Sequence, residues 1–280
     1  LLVDHDGGSA TAPLAASPGP AGGHKGQSSF QPSEALLAAG GANGGAGPAT
    51  GQMETPLHVA IAFSGETITR AETVSGYAHR GLAQRWRNSR VDDACRLSGR
   101  VAAGCSVAHQ AAFCQAVEAA CGSAVGPEAG LIRIVLGELE RILLHLHTLS
   151  GLARGAGALV VASRYAWFRE KLLAESALVI GSRLLMDHCV PGGASLRDAT
   201  GLGDLCSRLA KLGEEIYPAL ANLWRTYPAL SLRLSSLGKV EEALLDRVGL
   251  DGPVARASGQ DCDGRRTQRI YQSLWRLTAG

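Results

Sequence analysis

Apolar residues are spread unevenly along this chain, and the way they are spaced changes twice. Over residues 1–52 there is little pattern, only Gly, Ala, Pro and Ser in runs such as SPGPAGGHKGQSS and AAGGANGGAGPATGQ. Such a segment cannot bury enough apolar surface to offset its backbone entropy, so it reads as a linker or a disordered arm. From Leu57 the residues become β-prone. Leu57–Phe63 and Glu66–Glu72 are short runs joined at Ser64-Gly65, which predicts a hairpin. GYAHRGLAQRW then turns into helix, and from Val91 to about Tyr227 the period is helical. The spacing predicts four helices there. The first covers Asp92–Cys121, with Gly99 and Gly104 weakening its first half. The second covers Glu128–Ala153, started by Pro127. The third covers Arg164–Asp187 and the fourth Gly203–Trp224. A short helix over Lys239–Val248 follows, then the turn GLDGP, then VARASGQDCDGRR. No internal repeat is present.

On the second helix, at about 100° per residue, Leu131, Glu138, Ile142, His145, Leu149 and Leu152 share one narrow face. Arg133, Glu140 and His147 share the opposite one. The first face is otherwise apolar and is expected to be buried. The expected fold is α+β and mainly α, a central helical bundle over about residues 91–227 with a small N-terminal sheet. Composition divides the chain into the arm, 1–52, and a folded region, 53–280.

Composition adds limits. Of 280 residues 46% are hydrophobic but only 5% aromatic, so the core must rest on Ala, Leu and Val. A net charge of +2 gives no argument for nucleic acid or an anionic surface. Seven cysteines lack both a CxxC and the dense, even spacing of a disulfide framework, which favours a reducing compartment. Leu131–Leu149 is the most apolar stretch, but Arg133, Glu138, Glu140 and Arg141 interrupt it, so no transmembrane segment is expected. The start LLVDHDGG has neither an initiating Met nor a signal-peptide layout, and reads as a fragment or as a chain whose true start is elsewhere.

Three groups of residues could carry chemistry. Glu138 and His145, two turns apart, would have to be paired if buried. A functional pair with shifted pKa values and a structural pair bonded to a neighbouring helix both satisfy that requirement, and the structural one is favoured. Cys105 and His109, at i and i+4, share a helix face as two soft ligands would, but a closed metal site needs about four, so spacing alone favours a plain helix face. Cys114 and Cys121 fit as small buried hydrophobes. Arg80 and Arg96 have few acids nearby and could face an anionic cluster or simply water. PGGAS is a loop without a phosphate-binding layout, and neither GxGxxG nor GxSxG occurs.

Five stretches carry a resemblance as a set: GYAHRG, RLSGRVAAGCSVAHQAAFCQAVE, RIVLGELERILLHLHTLSGLARGAGA, GSRLLMDHCVPGG and GPVARASGQDCDGRR, in this order within about residues 55–270. They resemble the superfamily shared by nickel–iron hydrogenase large subunits and the hydrogenase-like subunit of complex I, the bacterial NADH:quinone oxidoreductase. Most of all they resemble the formate-hydrogenlyase type of large subunit. The resemblance implies a large-subunit-like component of a multi-subunit oxidoreductase that binds NAD only at the level of the whole complex. It implies a cytoplasmic location, peripheral to the inner membrane through partners. One of those partners would be a small subunit carrying a [4Fe–4S] cluster, with electrons passing to quinone or to protons.

The hydrogenase ligand motif is Arg-(Ile/Val)-Cys-Gly-x-Cys, with a second CxxC near the C-terminus. Here Ala102 stands at the first ligand's place and Cys105 at the second, and Cys262 stands alone in QDCDGR. The resemblance then implies that Cys105 is the remnant of a ligand motif, that His109 lines a cavity or is structural, and that this chain alone binds no cofactor. Thiolates supply the charge and softness nickel and iron need, and alanine supplies neither. In the complex I branch the vacated cavity binds quinone beside a histidine of a Gly-Pro-x-His-Pro hairpin, for which only His58 could stand in. Arg80 and Arg96 match basic positions near the partner's cluster, where a cation favours the reduced form, and His79, next to Arg80 in GYAHRG, is placed with them. The rival expectations are a non-catalytic scaffold for assembly and a truncated, decayed copy.

Overall fold

A computed structural model of the protein describes residues 42–48, 56–75, 77–78, 80–196, 201–268 and 271–272. The described residues form two units, one up to Ala78 and one from Arg80 onward. Composition divides the chain at residue 52. The structure instead places the hairpin in the smaller unit, together with a strand from inside the Gly-rich run.

The smaller unit is an antiparallel sheet of β1 (Ala42–Ala46), β2 (His58–Ser64) and β3 (Thr67–Val74), with β2 central. The expected hairpin is present. Gly65 sits at its tip with φ 61°, a backbone conformation that glycine adopts without a Cβ clash. Along β2, Ala60 and Ala62 point to the buried side while their neighbours do not, the period of two expected of a half-buried strand. The strand ANGGA corrects the expectation of a structureless arm through residue 52. Its glycines permit the pairing. A Cβ on Gly44 would lie 3.1 Å from the Phe63 ring, and one on Gly45 would lie 3.0 Å from the Val59 carbonyl oxygen.

The larger unit is helical. Its elements are α1 (Leu82–Arg87), α2 (Val91–Ser98), α3 (Ser106–Cys121), α4 (Pro127–Gly155) and α5 (Leu159–Ile180). A two-stranded hairpin follows, β4 (Cys189–Val190) and β5 (Gly193–Ala194), then α6 (Gly201–Thr226), α7 (Pro228–Leu234), α8 (Glu242–Val248), α9 (Pro253–Ala257) and a 3-10 turn at Gly264–Thr267. Pro127 starts α4, where its missing N–H costs nothing. Gly122 and Gly181, both left-handed, end α3 and α5. The third helix therefore stops seven residues before its expected end at Asp187. The core is the seam between α4 and α5. Leu136, Leu139, Leu143 and Leu146 of α4 are buried with Val161, Tyr165, Phe168 and Leu172 of α5, and Leu205 and Ile216 of α6 join them. Each such leucine adds about 1.5–3 kcal/mol relative to exposure.

The buried stripe of α4 is not the expected one. Leu131, Ile142 and Leu152 are 47%, 48% and 46% exposed, and His145 is exposed. The residues facing inward include Arg133 and Glu140, which the helical spacing places on the face opposite the one expected to be buried.

Candidate functional site

The helix expected over Asp92–Cys121 breaks at residues 99–105 into α2 and α3. Gly104 turns the chain at φ 82°. Gly99 is required by a close approach, since a Cβ there would lie 2.9 Å from Cδ of Gln110. Gln110 is buried and ties three segments together. Its Nε2 donates to the Cys95 carbonyl at 3.3 Å and to Asp187 Oδ1 at 3.0 Å, while the Asp187 N–H donates to its Oε1 at 3.0 Å. Arg100 grips Asp187 with both terminal nitrogens, at 2.5 and 2.6 Å, and this pairing holds the Asp187 carboxyl below its ordinary range. Asp187 and Leu185 have φ of 69° and 56°, strained values for non-glycine residues, so the Arg100 and Gln110 contacts fix an unfavourable loop conformation.

Arg80 also belongs to this break. It donates to the carbonyls of Arg100, at 2.8 Å, and of Val101. It braces the backbone of the break, a role no sequence signal announces. Arg96 is an exposed side chain of α2 whose carbonyl accepts from Arg100 at 2.7 Å. His79 lies outside the described residues. His58 is a half-buried residue of β2 in the smaller unit.

Beyond the break, α3 begins without a side-chain cap of its own. The cap comes from Glu140 on α4, whose carboxylate accepts the N–H groups of Val107 at 2.6 Å and Ala108 at 2.9 Å, and that of Ser106. A buried anion at a helix N-terminus meets both the orphan donors and the positive end of the dipole. Burial still raises the Glu140 pKa above the carboxylate norm, although those N–H groups pull it down. Cys105 immediately precedes α3 and is half-buried. Burial pushes its thiol pKa up and the charge of Glu140 adds to the shift. His109 is half-buried one turn into α3.

A cavity of about 100 Å³ lies against the break, with Ala103, Gly104, Glu140, His147, Arg169 and Leu173 among its walls. Arg169 Nε is buried and lacks a hydrogen-bond partner among the described residues, and burial holds its guanidinium below the usual value. A buried donor without an acceptor is costly, and its position in the wall of a cavity suits a ligand acceptor atom.

On the other side of α3, Arg133 and Glu118 form a buried bidentate pair at 2.5 and 3.1 Å. Arg133 also donates to the carbonyls of Gly193 at 3.0 Å and Val190 at 2.7 Å, and the Gly192 N–H donates to Glu118 at 2.8 Å. The pair thus fastens the β4–β5 turn to α3 and α4. The sequence places these residues on opposite sides of a turn, and only the tertiary fold brings them together.

Glu138 is half-buried and is not part of this interior. It accepts from Tyr271 at 2.7 Å, Arg141 at 3.2 Å and Arg265 at 3.4 Å. Burial and then Glu138 push the Tyr271 hydroxyl up to about 12. Partial desolvation, then Arg141 and Arg256, lower the His145 pKa. The expected buried Glu138–His145 pair is therefore replaced by a surface network joining α4 to the GQDCDGRR segment.

The donor set at the break does not fit a nickel–iron centre held by four thiolates. Cys105 is one thiol with a raised pKa, Ala102 offers no donor, and among the described residues no group of three His, Cys, Asp or Glu side chains could hold a metal ion. No helix among the described residues is long and apolar enough to cross a membrane.

Known proteins resemble this chain over most of its length. Residues 156–274 match the family described as the respiratory-chain NADH dehydrogenase 49-kDa subunit. The carbon monoxide-induced hydrogenase of Rhodospirillum rubrum is 27% identical over 79% of this chain and 61% of its own length. The NADH-quinone oxidoreductase D subunit of Campylobacter curvus is 30% identical over 79% of this chain and 54% of its own. The chain thus spans little more than half the length of these relatives. A chain from the archaeal membrane-bound sulfane sulfur reductase, a respiratory membrane complex, superposes with a TM-score of 0.67 at 21% identity, over 81% of this chain and 61% of that one, so the fold is shared. These matches bear out the resemblance to the superfamily that joins the D subunits of NADH-quinone oxidoreductases to hydrogenase large subunits.

Proposed function

We propose that the chain is a large-subunit-like component of a membrane-peripheral oxidoreductase of the complex I or energy-converting hydrogenase type. In this reading it takes part in electron transfer from a [4Fe–4S] partner subunit to an acceptor held at the break between α2 and α3. The observation that carries the reading is the orphaned Arg169 Nε in the wall of the cavity beside Glu140, at the place where the sequence resembles the family's ligand motif. The nickel–iron centre is lost in this reading, because Ala102 replaces one ligand and Cys105 is held as a neutral thiol.

In this reading the acceptor is a quinone head, which when bound supplies a two-electron, two-proton couple. Arg169 would donate to it, the leucine walls would exclude water, and Glu140 would hold a proton or a charge at the edge of the cavity. The test is binding of a short-chain ubiquinone to the purified chain, followed by thermal shift. Arg169→Met is expected to weaken it at least tenfold, and an unchanged affinity would sink the assignment. Stoichiometric nickel in the purified chain would overturn the lost-centre claim, and the partner claim fails if no iron–sulfur subunit co-purifies.

A second reading is a non-catalytic scaffold. It is favoured by one observation, that Arg80 spends its hydrogen bonds on bracing backbone carbonyls. On that reading Arg169→Met leaves electron transfer in the assembled complex unchanged.

A further inference from the structure

One pair of nucleophilic side chains takes no part in the site described above. Cys95 of α2 and Cys114 of α3 place their sulfur atoms 3.6 Å apart, with the residues 4% and 0% exposed. The Cys95 thiol also reaches the Cys189 carbonyl at 3.3 Å, which seats the pair at the junction of α2, α3 and β4. We propose that Cys95 and Cys114 are a peroxide-sensitive pair that closes into a disulfide and staples α2 to α3 across the 99–105 break.

The geometry is close to what the bond requires. The sulfurs must approach by about 1.5 Å to reach the roughly 2.05 Å of a disulfide. The helix α2 is only eight residues long and ends at the break, so the approach need move only one short element, against the contacts that Gln110 and Arg100 make to its carbonyls. The oxidant must be small, because neither sulfur is accessible to a bulky disulfide, whereas hydrogen peroxide is little larger than water. Cys95, the less buried of the two, reacts first. Its sulfur attacks one peroxide oxygen, an S–O bond forms as the O–O bond breaks, and water leaves with the thiol proton. The Cys114 sulfur then attacks the sulfenic sulfur, an S–S bond forms as the S–O bond breaks, and a second water leaves with the second thiol proton. The thiol pair loses two electrons, and one hydrogen peroxide becomes two waters. Burial pushes both thiols above their ordinary value, so the first step is slower than at an exposed thiolate. The exposed Cys121 and Cys206 serve as internal references: they oxidise too, but neither has a thiol contact among the described residues.

The first arm of the test uses the full chain without substitution. Purified protein is treated with graded hydrogen peroxide, quenched, denatured, alkylated and digested. Tandem mass spectrometry is needed because the tryptic fragment from Val101 to Arg133 also carries Cys105 and Cys121. The expected result is a linked pair joining the Cys95 peptide to Cys114, reversed by dithiothreitol. It should be accompanied by a reversible rise of about 5–10 °C in the thermal midpoint. Cys95→Ser and Cys114→Ser should each lose the link. The proposal is overturned if both thiols are recovered as free, alkylated cysteines at a dose that oxidises Cys121 and Cys206, or if Cys95 links to Cys189 instead. Neither outcome depends on the proposed electron-transfer role.

Discussion

Replacing Arg133 by methionine isolates the buried ion pair. In the native unit Glu118 accepts two bonds from Arg133 and one from the Gly192 N–H, and Arg133 also serves the carbonyls of Val190 and Gly193. Methionine fills most of the side-chain volume but supplies no donor. Glu118 is left with one N–H partner, and two carbonyls of the β4–β5 hairpin lose theirs. Leaving one member of a buried pair uncompensated costs about 3–5 kcal/mol. In a unit of this size each kcal/mol moves the midpoint by about 2–4 °C, so Arg133→Met should lower it by about 10 °C. Circular dichroism melts at neutral pH read this directly. The double variant Glu118→Leu with Arg133→Met removes the stranded charge as well and should regain most of the loss. The pH dependence has a fixed sign. Burial works to raise the Glu118 carboxyl, but Arg133 and the Gly192 N–H outweigh it and hold the group below its usual range. Its contribution is therefore complete above the unfolded glutamate value of about 4.3 and fades as pH falls through the lower folded value. The gap between wild type and Arg133→Met should narrow in acid. A loss under about 2 °C at neutral pH would refute the reasoning.

Three further outcomes can be checked. Gly99→Ala puts a Cβ 2.9 Å from Gln110 and should destabilise by about 1–3 kcal/mol in a denaturant titration, with part of the loss recovered when Gln110→Ala is added. Glu140 has the opposite linkage to Glu118. Burial raises its folded value, so its contribution is most favourable below the unfolded value and is lost as pH rises through the folded one. Wild type should therefore gain on Glu140→Gln as pH falls from neutrality, as read from midpoints across pH, and parallel curves would count against a buried, titrating Glu140. Arg80→Ala releases two carbonyls of the break and should speed proteolysis between Ser98 and Ser106 without moving the sheet's own stability.

The helical part of the fold is legible in the sequence because helix periodicity and glycine or proline punctuation are local signals. The covered face of α4 is not, for a physical reason. That helix carries apolar residues almost all round, so periodicity alone cannot tell which face is covered. The inward stripe, Ile132, Leu136, Leu139, Leu143, Leu146, Ser150 and Ala153, alternates steps of four and three, a pattern the sequence does display. Arg133 and Glu140 flank it, however, and unpaired charges are expected outside. Their partners, Glu118 and the N–H groups that start α3, are tertiary, and no local pattern announces them. The strand at Ala42–Ala46 is hidden because glycine usually weakens a strand, whereas here it lets Phe63 approach. The Gly99 and Gly104 weak points are visible, and the resemblance of this stretch to a ligand motif is what marks the break as a place for chemistry.

The cap that Glu140 places on α3 has a consequence for the order of events during synthesis. The first turn of α3 leaves the ribosome more than thirty residues before the carboxylate that satisfies it. Until α4 has emerged and docked, the amides of Val107 and Ala108 have only water to bond. The turn that carries Cys105 thus stays an open, solvent-accessible segment while the rest of α3 can already coil. Closure of that turn reports the arrival of α4. Pulse-labelled hydrogen exchange on stalled nascent chains should show those two amides becoming protected together, and only once residues past Glu140 are free to fold.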